Sequence, residues 1–160
     1  MTDNLTLLPD TLPDVIGIIG SRGPDFERTG WTDRRLIDRL IDRILAIRPD
    51  VTIISGGASS GVDNMVMEAC WARHLCECSA LACQKAHFHE IRALWRGPYG
   101  SGSFNPQAGF MRNDKLVRHC QLVIALFAPG EMTPGTSDAV RRCRKYDIPV
   151  LVYHRGIWHG

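Results

Sequence analysis

The sequence predicts an α/β fold, a single Rossmann-like, doubly wound parallel sheet of about five strands. Three observations carry this expectation. Short β-branched runs without alternation, VIGIIG, VTIIS and LVIALF, have the composition of strands buried on both faces. Segments with apolar residues at helical spacing separate them, and strand–helix alternation favours parallel pairing. Glycine clusters follow the strands, at the carboxyl edge where such sheets bind ligands.

Residues 1–14 are polar and acidic and are expected to be an irregular N-terminal segment; residues 15–160 are expected to form the one domain. Val15 to Gly20 reads as the first strand. From Thr32 the residues Leu36, Ile37, Leu40, Ile41, Ile44 and Leu45 recur at helical spacing until Pro49. Val51 to Ser55 is the second strand, and a helix is predicted from Gly61 to His74. Leu75 to Lys85 is rich in cysteine and fits no element clearly. A third strand is expected within Ala86 to Leu94, a Gly/Pro-rich loop over Arg96 to Pro106, and a helix over Ala108 to His119. Leu122 to Phe127 is the fourth strand, Ser137 to Tyr146 the last helix, and Val150 to Tyr153 the final strand.

The chain of 160 residues carries a net charge of +2, from 19 Lys and Arg against 17 Asp and Glu. That balance excludes a whole-surface nucleic-acid coat and leaves room for local basic sites. The N-terminus lacks the basic start and apolar run of a secretory signal, and no stretch approaches the ~18 apolar residues of a membrane helix. Six cysteines in such a chain read as reduced thiols. A cytoplasmic protein with no membrane partner is expected.

Four segments are candidates for ligand contact. In Gly20-Ser21-Arg22 the glycine permits close approach to the backbone, the hydroxyl is a donor, and the guanidinium can grip phosphate through two hydrogen bonds. Gly56, Gly57 and Ala58 open the small-residue turn that runs to Gly61, with unpaired N–H groups expected at the following helix start. Ser60 and Asp63 have the spacing of a capping box, so capping, or a ribose hydroxyl, suits Asp63 better than phosphate. Taken alone, Arg112 and Asn113 read as an exposed helical arginine beside a polar residue; a phosphate contact for Arg112 and base reading or loop bracing for Asn113 are the alternatives. Gly130, Gly135 and Thr136 lie in the loop after the fourth strand, where Gly135-Thr136 can offer backbone and hydroxyl donors, or Thr can cap a helix. Tryptophans usually pack; Trp95 stands apart because it follows the third strand at the same edge.

Cys76, Cys78, Cys83, His87 and His89 fall within fourteen residues, and all are zinc ligand types. The spacing C-x-C-x4-C-x3-H-x-H matches no common structural zinc site, so ordinary thiols are the first reading and metal the alternative. No metal or other cofactor is assigned from the sequence.

Together, G-S-R, S-G-G-A-x-x-G-V-D, A-L-W, A-G-x-x-R-N and the later P-G…G-T resemble the SLOG superfamily, which includes Smf/DprA and the Lonely Guy enzymes. The nearest pattern is its YspA-like, Rossmann-like nucleotide-binding branch, over about Val15 to Tyr153. The resemblance implies ligand contacts at Gly20, Ser21, Arg22, Gly56, Gly57, Ala58, Asp63, Trp95, Arg112, Asn113, Gly135 and Thr136. It also implies a homo-oligomer, since related proteins commonly form homodimers. Two departures weaken transfer of Lonely Guy hydrolysis. Ala139 stands where those enzymes carry a glutamate, with Asp138 one residue earlier, and Glu131 to Pro134 lengthen the loop. The expected function is binding of a phosphate-bearing nucleotide or derivative, of adenine nucleotide, ADP-ribose or phosphoribosyl type, as a sensor or nucleotide-processing protein. The alternatives are a nucleotide N-glycosidase (phosphoribohydrolase) using Asp138 or Glu90, and single-stranded DNA binding of Smf/DprA type.

Overall fold

The computed structural model describes residues 5–22, 31–79, 82–130 and 132–160. Strand β1 (Val15–Gly20) leads to helix α1 (Arg34–Ile47), β2 (Thr52–Ser55), α2 (Val62–Ala72) and β3 (His87–Glu90). Then come α3 (Ala108–His119), β4 (Leu122–Leu126), α4 (Pro134–Lys145), β5 (Val150–His154) and β6 (Ile157–His159). Among the described residues the strands form one mixed sheet of six, ordered β3-β2-β1-β4-β5-β6, with every pair parallel except β5–β6. The expected five parallel strands are therefore present, and β6 is an addition. It folds back through Arg155-Gly156, both at positive φ (52° and 78°), a two-residue turn that the short sequence IWH did not advertise.

Alternation along β1 splits the core into two layers. Ile16 and Ile18 face α1 and α2, together with Ile53 of β2 and Ile124 of β4. Ile19 faces α3 and α4, with Ile54, Val123 and Ala125. Helix α1 buries Leu36, Ile37, Leu40, Ile41 and Ile44, the stripe its periodicity predicts, each side chain contributing about 2 kcal/mol. Asp33 starts it by accepting from the Leu36 N–H at 3.1 Å. Of the N-terminal segment, residues 5–14 are irregular apart from a 3-10 turn at Leu5–Leu7, and they pack on this layer through buried Leu8 and Leu12. Trp31 packs there too, edge-on to Tyr153 at 5.8 Å. Among the described residues no helix is long and apolar enough to cross a membrane.

Strand order reverses between β1 and β4. The chain leaves β1 toward β2 on one side, and β4 pairs on the other. A crevice forms at the carboxyl ends of strands flanking such a reversal, because the following loops diverge to opposite faces. The glycine-rich loops lie there.

Candidate functional site

The crevice holds two adjoining cavities. One, of about 300 Å³, lies between the β1 end and the starts of α3 and α4; its lining includes Gly20, Arg22, Ala58, Asp63, Trp95 and Arg112. The other, of about 320 Å³, lies over Gly56 to Ser60 and Arg92. Arg22, Ala58, Trp95 and Arg112 line both, so the cavities read as two lobes of one cleft with these residues at its waist. Three helix N-termini border it: Asp63 of α2, Gly109 and Phe110 of α3, and Pro134, Gly135 and Thr136 of α4 line the first lobe. First-turn N–H groups lack intrahelical partners, and the aligned peptide dipoles make each terminus partly positive.

Each loop is shaped by close packing. A Cβ on Gly20 would lie 2.3 Å from the Leu126 carbonyl oxygen and 2.5 Å from Val62, so glycine lets α2 start against β1. Ser21 is buried and structural: its hydroxyl oxygen accepts from the Ala128 N–H at 2.9 Å, tying the β1 loop to the end of β4 rather than lining either cavity. Arg22 continues past this anchor to the waist.

The capping-box expectation for Ser60 and Asp63 does not hold. Gly61 occupies the cap of α2 with no side-chain cap bond, and Val62 N–H donates instead to the Ser21 carbonyl at 3.0 Å. The Asp63 carboxylate turns back to the loop, where Oδ2 accepts from the Ala58 N–H at 3.2 Å. Its Oδ1 is buried with no partner among the described residues. Burial drives the Asp63 carboxyl above the usual carboxylate range, against the pull of the Arg112 guanidinium and the Ala58 N–H. Arg112 shifts downward, again chiefly through burial, with Asp63 opposing. In both members of this 3.9 Å pair burial outweighs their mutual attraction, so each charge is held at a desolvation cost.

Arg112 is thus not the exposed helical arginine that its sequence context alone suggests. It donates to the Gly56 carbonyl and, through Nε, to Asn113 Oδ1 at 3.0 Å. A Cβ on Gly56 would sit 2.3 Å from Arg112 Nη1, so that glycine makes room for the guanidinium. Asn113 braces the loop, the second of its sequence readings: Nδ2 donates to Gly135 O at 2.9 Å and Asp138 Oδ2 at 3.1 Å. Asn113→Ala should cost about 1 kcal/mol by removing the donor to the Gly135 carbonyl and one of the two donors to Asp138 Oδ2, read as a lowered urea midpoint.

Helix α4 begins at Pro134, three residues earlier than expected, because proline suits the first helical position. Gly135 and Thr136 therefore stand in its first turn and line the cavity, whereas Gly130 lies outside both linings, its carbonyl accepting from His154 Nε2 at 2.7 Å. Asp138 is held by Asn113 and by Arg142 Nε at 2.8 Å, and Ala139 is buried. Glu90 pairs with Arg92 at 2.7 Å. Trp95 lines both lobes and stacks on Phe104 at 5.8 Å between centroids. Arg92, Phe110 and Thr133 are lining residues that the sequence reading missed. Arg92 follows the third strand, and that position was its one available signal.

Fold and cleft together define a Rossmann-like protein with helix N-termini and arginines gathered at the switch point of its sheet. In sequence, residues 18–78 match the YspA, cpYpsA-related SLOG family (YAcAr), which bears out the resemblance to the SLOG superfamily. No curated protein matches the chain. Among solved structures, the molybdenum cofactor binding protein of the phototrophic bacterium Rippkaea orientalis is similar with a TM-score of 0.60 and 17% identity, over 89% of this chain and 77% of that one. The protein TM1055 follows with a TM-score of 0.57 and 20% identity, over 86% and 72%. DNA processing protein A from Helicobacter pylori, whose structure describes a single-stranded DNA binding mode, gives a TM-score of 0.56 and 20% identity, over 88% of this chain and 65% of that one. At these identities the likeness is one of fold.

Proposed function

We propose that the protein binds a phosphate-bearing nucleotide or nucleotide derivative, of adenine nucleotide, ADP-ribose or phosphoribosyl type, along the two-lobed cleft. The observation that carries this reading is the convergence of three helix N-termini on a cavity whose waist holds Arg22 and Arg112. Phosphate would sit at that waist, where fixed N–H dipoles and guanidinium groups act together. Asp63 Oδ1, buried and unpartnered, suits a ligand hydroxyl donor such as that of ribose. Trp95 and Phe110 supply apolar surface for a base.

Thermal-shift titration with AMP, ADP, ADP-ribose and ribose 5-phosphate, with adenosine as the uncharged control, tests the proposal. A phosphate-bearing ligand should raise the Tm, with about 2.7 kcal/mol of stabilisation at one hundred times its Kd. Arg22→Ala should weaken that ligand at least about tenfold, the value of a charge-assisted contact. No shift with any phosphate-bearing ligand at millimolar concentration would reject the reading. Turnover is read separately, by release of free base and ribose 5-phosphate. The ion pairing of Asp138 and Glu90 gives that alternative little support. Single-stranded DNA binding would appear as a gel shift that weakens steeply with salt.

A further inference from the structure

Outside the cleft, at the opposite end of β3, the structure gathers four of the five Cys and His residues singled out in the sequence. The Sγ atoms of Cys76, Cys78 and Cys83 and a ring nitrogen of His87 all lie within 4.8 Å of one another. Cys78 Sγ and His87 Nε2 are 3.4 Å apart, and the Cys78 N–H donates to Cys76 Sγ at 3.4 Å. All six cysteines of the chain are unbridged, and Cys70, Cys120 and Cys143 are buried elsewhere. From the geometry we infer that Cys76, Cys78, Cys83 and His87 form a structural zinc site of Cys3His type.

The donor set and spacing are those of tetrahedral zinc. With Zn–S near 2.3 Å and Zn–N near 2.0 Å, ligand atoms of a tetrahedral site lie about 3.5–3.8 Å apart. The cluster needs only a small contraction to reach this. Its scaffold is already formed by backbone pairing. Cys76 bridges to His87 in parallel, with Cys76 N–H donating to Ala86 O at 2.8 Å and Phe88 N–H to Cys76 O at 3.0 Å. His87 is held in β3 by its N–H bond to Val51 O at 2.8 Å. Two of the four ligands are therefore placed by the sheet, and Cys78 and Cys83 close over them from the connecting segment. His89, two residues along the same strand face, stacks on His87 at 6.0 Å and stays outside the cluster.

Protein groups occupy all four positions, which makes the site structural rather than catalytic. It also accounts for the segment between α2 and β3. Strand β3 is the parallel edge of the sheet. Exposed edges invite pairing with other chains, and a metal staple fixing Cys76 against the outer side of β3 covers part of this one.

The test is metal analysis of untagged protein expressed in zinc-supplemented medium. About one zinc per chain is expected, released to a chromogenic chelator when the thiols are modified by an organomercurial. Cobalt added to the zinc-free protein should give intense visible absorption and a near-ultraviolet thiolate charge-transfer band, as a tetrahedral thiolate site does. Cys78→Ser and Cys83→Ser should each lose the metal, and His89→Ala should keep it. If the cysteine variants fail to fold, the cobalt spectrum of the unsubstituted chain decides alone. Substoichiometric zinc with no cobalt band overturns the proposal. So does retention of metal by both cysteine variants, or its loss from His89→Ala. Nucleotide binding at the cleft is measured separately, so failure of either reading leaves the other standing.

Discussion

Gly61→Ala should abolish ligand binding and cost about 3 kcal/mol or more of stability. Gly61 caps α2 at φ 73° and ψ −146°, a region that only glycine occupies without strain. The space is closed as well as the conformation. A Cβ would lie 2.2 Å from the Ser21 carbonyl oxygen and 2.4 Å from the carbonyl carbon of Arg22, both backbone atoms that cannot swing aside. Relief requires α2 to move away from the β1 loop, which breaks the Val62–Ser21 hydrogen bond and displaces Arg22 from the waist. Gly156→Ala is the matched control. Its φ is 78°, but nothing lies within 4 Å of the added carbon, so only the backbone cost of about 1–2 kcal/mol is expected. Urea unfolding of both variants separates conformation from collision. Equal costs at the two positions would refute the close-packing account of the loop.

Arg112→Ala should destabilise the protein by about 3–5 kcal/mol at neutral pH, the range for removing one partner of a buried pair. It strips the Gly56 carbonyl and Asn113 Oδ1 of their donor and leaves Asp63 facing the cavity without its cation. The deficit should shrink as pH falls, because a protonated Asp63 no longer needs a counter-charge. The sign follows from the raised pKa of Asp63 in the folded state. A raised carboxyl favours folding fully below its unfolded value of about 4, and that contribution is lost as pH rises through the folded value. Asp63→Asn should therefore flatten the stability profile above pH 4, measured as urea midpoints across the acid-to-neutral range. A profile identical to that of the unsubstituted chain would remove Asp63 from this role. Arg112→Lys should rescue charge but not the paired contacts to Gly56 and Asn113, because a compact ammonium lacks the planar fork.

These effects bear on which parts of the protein are local in origin. The strands at Val15, Thr52 and Leu122 and the helix at Ala108 are legible in the sequence, since burial on both faces demands β-branched runs and burial on one demands helical periodicity. β6 was hidden because three residues of an edge strand carry too little pattern, and its pairing depends on a turn. Helix α4 starts ahead of the expected Ser137 because Pro134, which in sequence resembles a loop proline, opens the helix.

Within the cleft, the resemblance to the SLOG superfamily and the edge on which the loops gather are legible in the residues alone, because glycine clusters after the first, second and fourth strands are a local property that topology turns into a place. Division of labour among the loop residues was decided only by tertiary structure. Ser21 binds the end of β4, Asn113 holds the α4 loop, Gly56 makes room for Arg112, and Asp63 is left with a buried, unpartnered oxygen. Each role depends on partners distant in the chain, up to 107 residues away for Ser21 and Ala128. The same reason applies to the cysteines and histidines: the spacing between Cys76 and His89 left metal open, and parallel pairing of Cys76 with His87 brings four ligand atoms together while leaving His89 outside. Side-chain chemistry is written in the sequence, but which groups meet is set by strand register and helix packing.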